Sequence, residues 1–363
     1  MNNASQCHAG LRSVGVCLPP AIRENDWWPL ETVRRWADRA IPIDTEQAQQ
    51  GGDLDAYARA LMEARNDPFG GSVRRHILDA DLAASDIEVR ACRDALTRAN
   101  LTPGDVDLLV GSSGVPDYLT VPNVATVHEQ LGLRRRCPSL SVDAACNGFA
   151  MSLEVARNRI TTGQSRCALL FQSSIMSRIM PPDAPYTPWF GDGATAVVVT
   201  EGSPQTSIAA IEHGTDGSTY HAMVAGVPGG RWYDEGRVVW HAEQTDLARK
   251  MFLDTPAQAA EAVTGALERA GWGREQVAFF ACHQPTPWFR SVTQAHLGLD
   301  KAAAVDTFAD AGNLSSVNIP LVLAKADRAG MLRTGDRVVT FGGGSGVTYA
   351  SVALQWGADP PTA

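Results

Sequence analysis

Apolar positions along the chain change their period several times, and each change marks an element. Residues 10–22 (GLRSVGVCLPPAI) read as a first strand ended by Pro19 and Pro20. From Asn25 to about Gly71 the pattern is less regular: ETVRRWADRA predicts one helix, and a second spans roughly Leu54 to Ala64. This stretch is an excursion from the core, either a cap over a pocket or a surface-packed decoration. ASDIEVRACRDALTRA (84–99) predicts a helix capped at Ala84 or Ser85, and after NLTPGD the run VDLLVGSS predicts a buried strand. The loop GVPDYLTVPN leads to the helix ATVHEQLGL. In the next segment Leu140, Val142 and Ala144 alternate as in a strand, whereas Phe149, Leu153, Ala156 and Ile160 share one helical face. RCALLFQSS and GDGATAVVVT predict two further strands.

The second half repeats this order. ALTRANLTPGDVDLLVGSSG (95–114) aligns without a gap with ALERAGWGREQVAFFACHQP (266–285), each a helix, a turn and a buried strand. DAACNGFAMSL (143–153) corresponds to DAGNLSSVNIPL (310–321), and each precedes a glycine-containing turn and a strand, RCALLFQSS or RVVTFGGG. A repeat of about 170 residues is too long for a solenoid and implies two similar βαβ-rich halves, expected at 1–200 and 201–363. This register sets Cys146 opposite Asn313 and Ser112 opposite His283. If the halves pack about a pseudo-twofold axis, Cys146, His283 and Asn313 arrive at one place.

Composition narrows the function classes. With 44% hydrophobic and 20% charged residues, the 363-residue chain reads as an ordinary soluble protein. No run approaches the ~18 apolar residues of a membrane span, and MNNASQCHAGLRS lacks the regions of a signal peptide, so the cytoplasm is the expected location and no membrane partner is expected. A net charge of −9 gives no reason to expect nucleic acid. Seven scattered cysteines without a CxxC pair argue against a disulfide framework or a metal site. Cys146 stands apart, because a strand that hands over to a helix at a cysteine sets the sulfur beside unpaired N–H groups and the positive end of the helix dipole. Both favour the nucleophilic thiolate.

The segments DAACNGF, GDGA (191–194), His283-Gln284, Gly312-Asn313-Leu314-Ser315-Ser316 and FGGGSG (341–346) occur in an order that resembles the thiolase superfamily, specifically its ketoacyl synthase III-like condensing enzymes, over nearly the whole chain. The resemblance implies an α/β thiolase-like fold of five layers, αβαβα, built from two duplicated halves, and a homodimer. It implies that Cys146 takes an acyl group from coenzyme A or an acyl carrier protein, with no bound cofactor. The backbone N–H groups of Cys146 and Gly343 would form the oxyanion hole. His283 and Asn313, neither needing charge, would hold the thioester carbonyl of a malonyl-type extender as carbon dioxide leaves. Asp192 in the GDGA turn is expected to fix a loop.

The expected reaction is therefore a decarboxylative Claisen condensation in specialised (polyketide or related) metabolism. The alternative is an acyltransferase of the same fold that passes the acyl group to an O, N or S acceptor. Pro285 and Thr286 stand where typical fatty-acid members carry a small residue and then Asn. Thr286, Phe149 and Val121 are the expected pocket residues, Val121 reaching the pocket across a dimer and leaving room for acyl groups larger than acetyl. Arg135, within Arg134–Arg136, is either a carrier-docking site or part of a solvated turn. Arg290 is a second candidate for contact with the carrier or with phosphopantetheine.

Overall fold

The computed structural model describes residues 7–38, 53–64, 67–344 and 348–357. Two sheets form the framework. In the first the strand order is His8–Cys17, Asp192–Gly202, Cys167–Ile175, Leu108–Ser113 and Ser139–Ser141. The last three run parallel, and the first two pair antiparallel. In the second the order is Ile208–Thr215, Thr348–Gln355, Arg337–Gly344 and Phe279–Cys282, with a parallel bridge from Phe279 to Ala303 standing where the fifth strand would be. The same sequence of strands, in the same directions, thus occurs twice.

Layering follows from which faces are apolar. The helices Gly148–Thr161 and Asn318–Arg328 lie between the sheets, and Phe149, Leu153, Ala156, Ile160, Val322 and Leu323 merge with strand residues of both sheets into one core. Ala84–Ala99 covers the outer face of the first sheet through Ile87, Ala91, Cys92 and Ala95. Thr245–Ala270 covers the second through Ala259, Ala262, Val263 and Leu267. Helix, sheet, helices, sheet, helix gives the five layers αβαβα.

The first repeat register is visible residue by residue. Both outer helices end on a left-handed residue, Asn100 (φ 56°) and Gly271 (φ 68°); 3₁₀ turns at Pro103–Asp105 and Arg274–Gln276 follow, then the strands from Leu108 and Phe279. The second register differs from the expectation. The turn Ala145–Asn147 before the first inner helix matches Ser315–Val317 before the other, with Ala145 (φ 44°) and Ser315 (φ 53°) as equivalent left-handed residues. Cys146 therefore corresponds to Ser316, and Asn313 lies on the loop before the turn.

Of the excursion, the described residues pack beside the cavity walls and none lines the cavity. Trp28 and Trp36 donate to the carbonyls of Pro182 (3.0 Å) and Asp183 (2.7 Å), and Tyr57 is buried against Trp288, Phe289 and His296. Residues 39–52 and 65–66 lie outside the described residues, as do Ser345 and Gly346 of the FGGGSG segment.

Candidate active site

Several of the elements that reach the site do so where a parallel strand ends, the place where open α/β sheets present their loops. Gly114 follows Leu108–Ser113, Met176 follows Cys167–Ile175, Cys146 comes five residues after Ser141, His283 follows Cys282, and Gly343 and Gly344 end their strand. Together they line a cavity of about 530 Å³.

Cys146 sits in a tight turn between strand and helix, 8% exposed, behind the left-handed Ala145. Gly148 lets the turn close, since a Cβ there would lie 2.0 Å from Ser112 Oγ. Asn147 fastens the turn to the second half by donating to Thr348 O (2.7 Å) and Oγ1 (3.0 Å). Asn313 is held in the opposite direction. Its N–H donates to Trp189 O (2.6 Å) and its carbonyl accepts from Gly191 (3.4 Å), so a segment of the first half fixes a residue of the second. Asp192, just beyond, accepts from Leu78 N (2.8 Å), Ser177 N (3.0 Å) and Ser177 Oγ (2.5 Å), which is the loop-fixing part expected of it.

His283 is fully buried between two fixed acceptors. Nδ1 lies 2.8 Å from Gly343 O, and because a carbonyl only accepts, Nδ1 carries a proton. Nε2 lies 3.1 Å from Asn313 Oδ1, which also accepts from the Ser315 N–H at 2.8 Å. That N–H fixes the amide orientation, since the flipped amide would face donor with donor. Both ring nitrogens thus face acceptors, an arrangement that favours the imidazolium.

Burial alone would raise the Cys146 thiol, but the His283 charge, hydrogen bonds with His283 and Ser315 and the cysteine's own N–H outweigh it, and the pKa lies below the ordinary thiol value. Burial lowers His283, yet the facing thiolate and the bonds to Cys146, Asn313 and Gly343 raise it on balance. The other six thiols are all raised, Cys137 to about 11 and Cys167 to about 12. Cys282, although next to His283 in the chain, is buried in the strand and is among them. Both shifts favour a thiolate facing an imidazolium, with the Asn313 amide beside them.

The rest of the cavity wall is mostly apolar, with Asp143, Thr255 and Gln258 among its polar residues. Met176, Ile179 and Phe190 face Met223, Trp240 and Phe252, and no lysine or arginine lines it among the described residues. The hairpin Met223–Gly226 with Val239–Ala242 forms part of this wall, tied down by Trp240 N donating to Ile179 O (2.9 Å) and Tyr186 Oη donating to Trp240 O (3.2 Å). Its short strands, separated by a glycine-rich stretch, gave no clear periodic signal. Glu88 was missed as well: 0% exposed, it accepts from Ser113 (2.6 Å), Ser173 (2.5 Å) and Asn123 (3.0 Å), holding both ends of the loop 114–123.

Several expected site residues lie elsewhere. Phe149 belongs to the core between the sheets, because its helical stripe faces the strands. Thr286 is buried with an unpartnered Oγ1, and its neighbour Pro285 faces the cavity in its place. Arg135 is exposed and precedes Ser139–Ser141, whereas Cys146 follows that strand; the two stand at opposite ends of it. Arg290 is clasped by Asp306 (2.8 and 2.5 Å) and Gln294 (2.9 Å), which occupies its guanidinium. Val121 is 56% exposed at the tip of a loop with Tyr118 and Leu119 and is outside the cavity of its own chain.

Known proteins resemble this chain over most of its length. The model of 3-oxoacyl-[acyl-carrier-protein (ACP)] synthase III matches residues 140–217, and that of its C-terminal part matches residues 267–356. Beta-ketoacyl-[acyl-carrier-protein] synthase III 3 of Streptomyces coelicolor is 30% identical over 302 residues, 80% of this chain and 88% of that protein. The synthase III of Rhodobacter capsulatus is 32% identical over 295 residues, 79% of this chain and 88% of its own length. Among solved structures, 3-oxoacyl-(acyl carrier protein) synthase III, FabH, from Pseudomonas aeruginosa PAO1 superposes with a TM-score of 0.77 at 26% identity, covering 98% of this chain and all of its own.

Proposed function

The chain belongs to the 3-oxoacyl-[acyl-carrier-protein] synthase III family of condensing enzymes, and from that membership we propose that it condenses a Cys146-bound acyl group, larger than acetyl, with a malonyl-type thioester. The observation that carries the reading is the convergence of Cys146, His283 and Asn313 on one mostly apolar cavity of about 530 Å³.

Cys146 Sγ attacks the carbonyl of an acyl thioester on coenzyme A or an acyl carrier protein. The tetrahedral oxyanion is received by the backbone N–H groups of Cys146 and Gly343, and the departing thiol takes the His283 proton. His283 regains a proton from solvent, held by Gly343 O and Asn313 Oδ1. The malonyl-type thioester then places its carbonyl oxygen against Asn313 Nδ2 and shares the His283 Nε2–H with Asn313 Oδ1. As the carbon–carboxylate bond breaks, its electron pair forms an enolate whose oxygen these donors stabilise. The enolate carbon attacks the acyl carbonyl, and the tetrahedral adduct collapses to a 3-ketoacyl thioester and free Cys146 thiolate.

The cavity supports the acyl size: it measures about 530 Å³, and the small side chains of Ala225 and Ala242 are part of its wall. The working unit in this reading is a homodimer in which Val121 of one copy closes the pocket of the other. The Pro285–Thr286 pair and the enlarged 25–71 segment support a place in specialised, polyketide-like metabolism.

Intact-protein mass spectrometry tests the reading. Wild-type protein offered a panel of acyl thioesters is expected to gain one acyl mass on Cys146, and malonyl-loaded carrier protein is expected to clear it as a 3-ketoacyl product. An adduct that survives malonyl donors and clears onto an alcohol or amine would replace condensation by plain acyl transfer.

A further inference from the structure

Ser315 has no part in the reaction as written, yet its position is unusual. It is the residue of the second half equivalent to Ala145, and like Ala145 it holds a left-handed backbone (φ 53° and φ 44°) that side chains other than glycine seldom adopt. The turn is locked in place, since Leu314 N donates to the Asn318 side chain (3.1 Å). Held this way, Ser315 Oγ reaches across to the other half and donates to Cys146 Sγ at 3.4 Å, while its N–H donates to Asn313 Oδ1 at 2.8 Å. A glycine would meet the backbone requirement without strain, but it would leave the sulfur without this donor.

We propose that Ser315 is a positioning residue with two tasks: its hydroxyl stabilises the Cys146 thiolate, and its N–H turns the Asn313 amide so that Nδ2 faces the incoming thioester. The hydroxyl acts only while the sulfur carries charge. When Sγ bonds to the acyl carbon it becomes a poor acceptor and the hydrogen bond is released; when the condensation adduct collapses and the thiolate returns, the bond re-forms. One elbow thereby serves both half-reactions, the thiolate through its side chain and the enolate through its backbone. The direction of the Cys146 shift, to which the Ser315 bond contributes, agrees with this role.

The inference rests on Cys146 being the nucleophile, and the test separates the two. The rate of Cys146 alkylation by iodoacetamide is followed against pH for the wild type, Ser315→Ala and Ser315→Gly. Loss of a hydrogen bond to a charged acceptor is expected to move the apparent pKa of both variants up by about one unit, with roughly tenfold slower alkylation near neutral pH. The glycine variant relieves the strained φ and so keeps the measurement meaningful if the alanine variant folds poorly. Profiles coincident with wild type, or a shift in Ser315→Ala alone, would overturn the role of the hydroxyl. A wild-type Cys146 that neither iodoacetamide nor any acyl thioester modifies would instead sink the nucleophile assignment.

Discussion

Replacing Glu88 by glutamine removes a charge that the folded protein accommodates poorly. Burial pushes this carboxyl up to about 7, against the lowering effect of hydrogen bonds from Ser113, Ser173 and Asn123; Asp117 adds to the rise. In the unfolded chain the group titrates near 4.5. Between those two values the folded state holds a proton that the unfolded state lacks, so the stability tied to Glu88 is complete below the unfolded value. It is lost as pH rises through the folded one. At ~1.4 kcal/mol per pKa unit the loss amounts to roughly 3 kcal/mol by pH 8. Glutamine is neutral throughout; its oxygen can accept from Asn123, and the two serine hydroxyls can rotate to accept from its amide. Other titrating groups affect both proteins alike and cancel in the comparison. Urea unfolding of wild type and Glu88→Gln at pH 5, 6, 7 and 8, followed by circular dichroism, should show the variant gaining on the wild type as pH rises. A stability difference that is flat with pH, or one that grows in favour of the wild type, would refute the reasoning.

Other outcomes follow from the site. Gly344→Ala would place a Cβ 2.6 Å from Cys146 Sγ, and steady-state assay of the folded variant should show turnover reduced by about 100-fold or more. Phe149→Ala should cost roughly 3–5 kcal/mol in denaturant unfolding, as expected of a core phenylalanine, without changing acyl-chain preference. Trp240→Ala enlarges the cavity and should shift that preference in kcat/KM toward longer or bulkier acyl groups. Because His283 has a raised pKa and must carry its Nε2 proton to hold the enolate, single-turnover condensation from pre-acylated enzyme should decline as pH rises through that pKa.

Much of this architecture was legible because periodicity reports which face an element buries. The ungapped match of 95–114 with 266–285 was enough to show the duplicated helix–turn–strand unit and to pair the end of Leu108–Ser113 with His283, whereas Asn313 was drawn in through a register that the turns Ala145–Asn147 and Ser315–Val317 correct. What escaped depended on orientation in space. The stripe containing Phe149 looks the same whether it faces a ligand or a second sheet. Arg135 and Cys146 are close in sequence, but a parallel strand carries one away from the other. Asn313 resembled the counterpart of Cys146 because both halves read Asp-Ala there, yet the loop before the second helix is longer and Ser316 takes the equivalent place. Glu88 sits on a helix whose charged residues otherwise belong on a solvated face, and only the serines and Asn123 arriving from other elements explain its burial.

The central claim is a division of labour, with Cys146 taking the acyl group and Asn313, beside His283, holding the enolate. Asn313→Ala separates these steps when adduct formation and carbon dioxide release are measured in the same rapid-quench experiment. The account predicts that the variant still acylates Cys146, while release of carbon dioxide and formation of the 3-ketoacyl product fall by roughly 100-fold or more. A variant that acylates and condenses at the wild-type rate, or one that loses acylation alone, would contradict it.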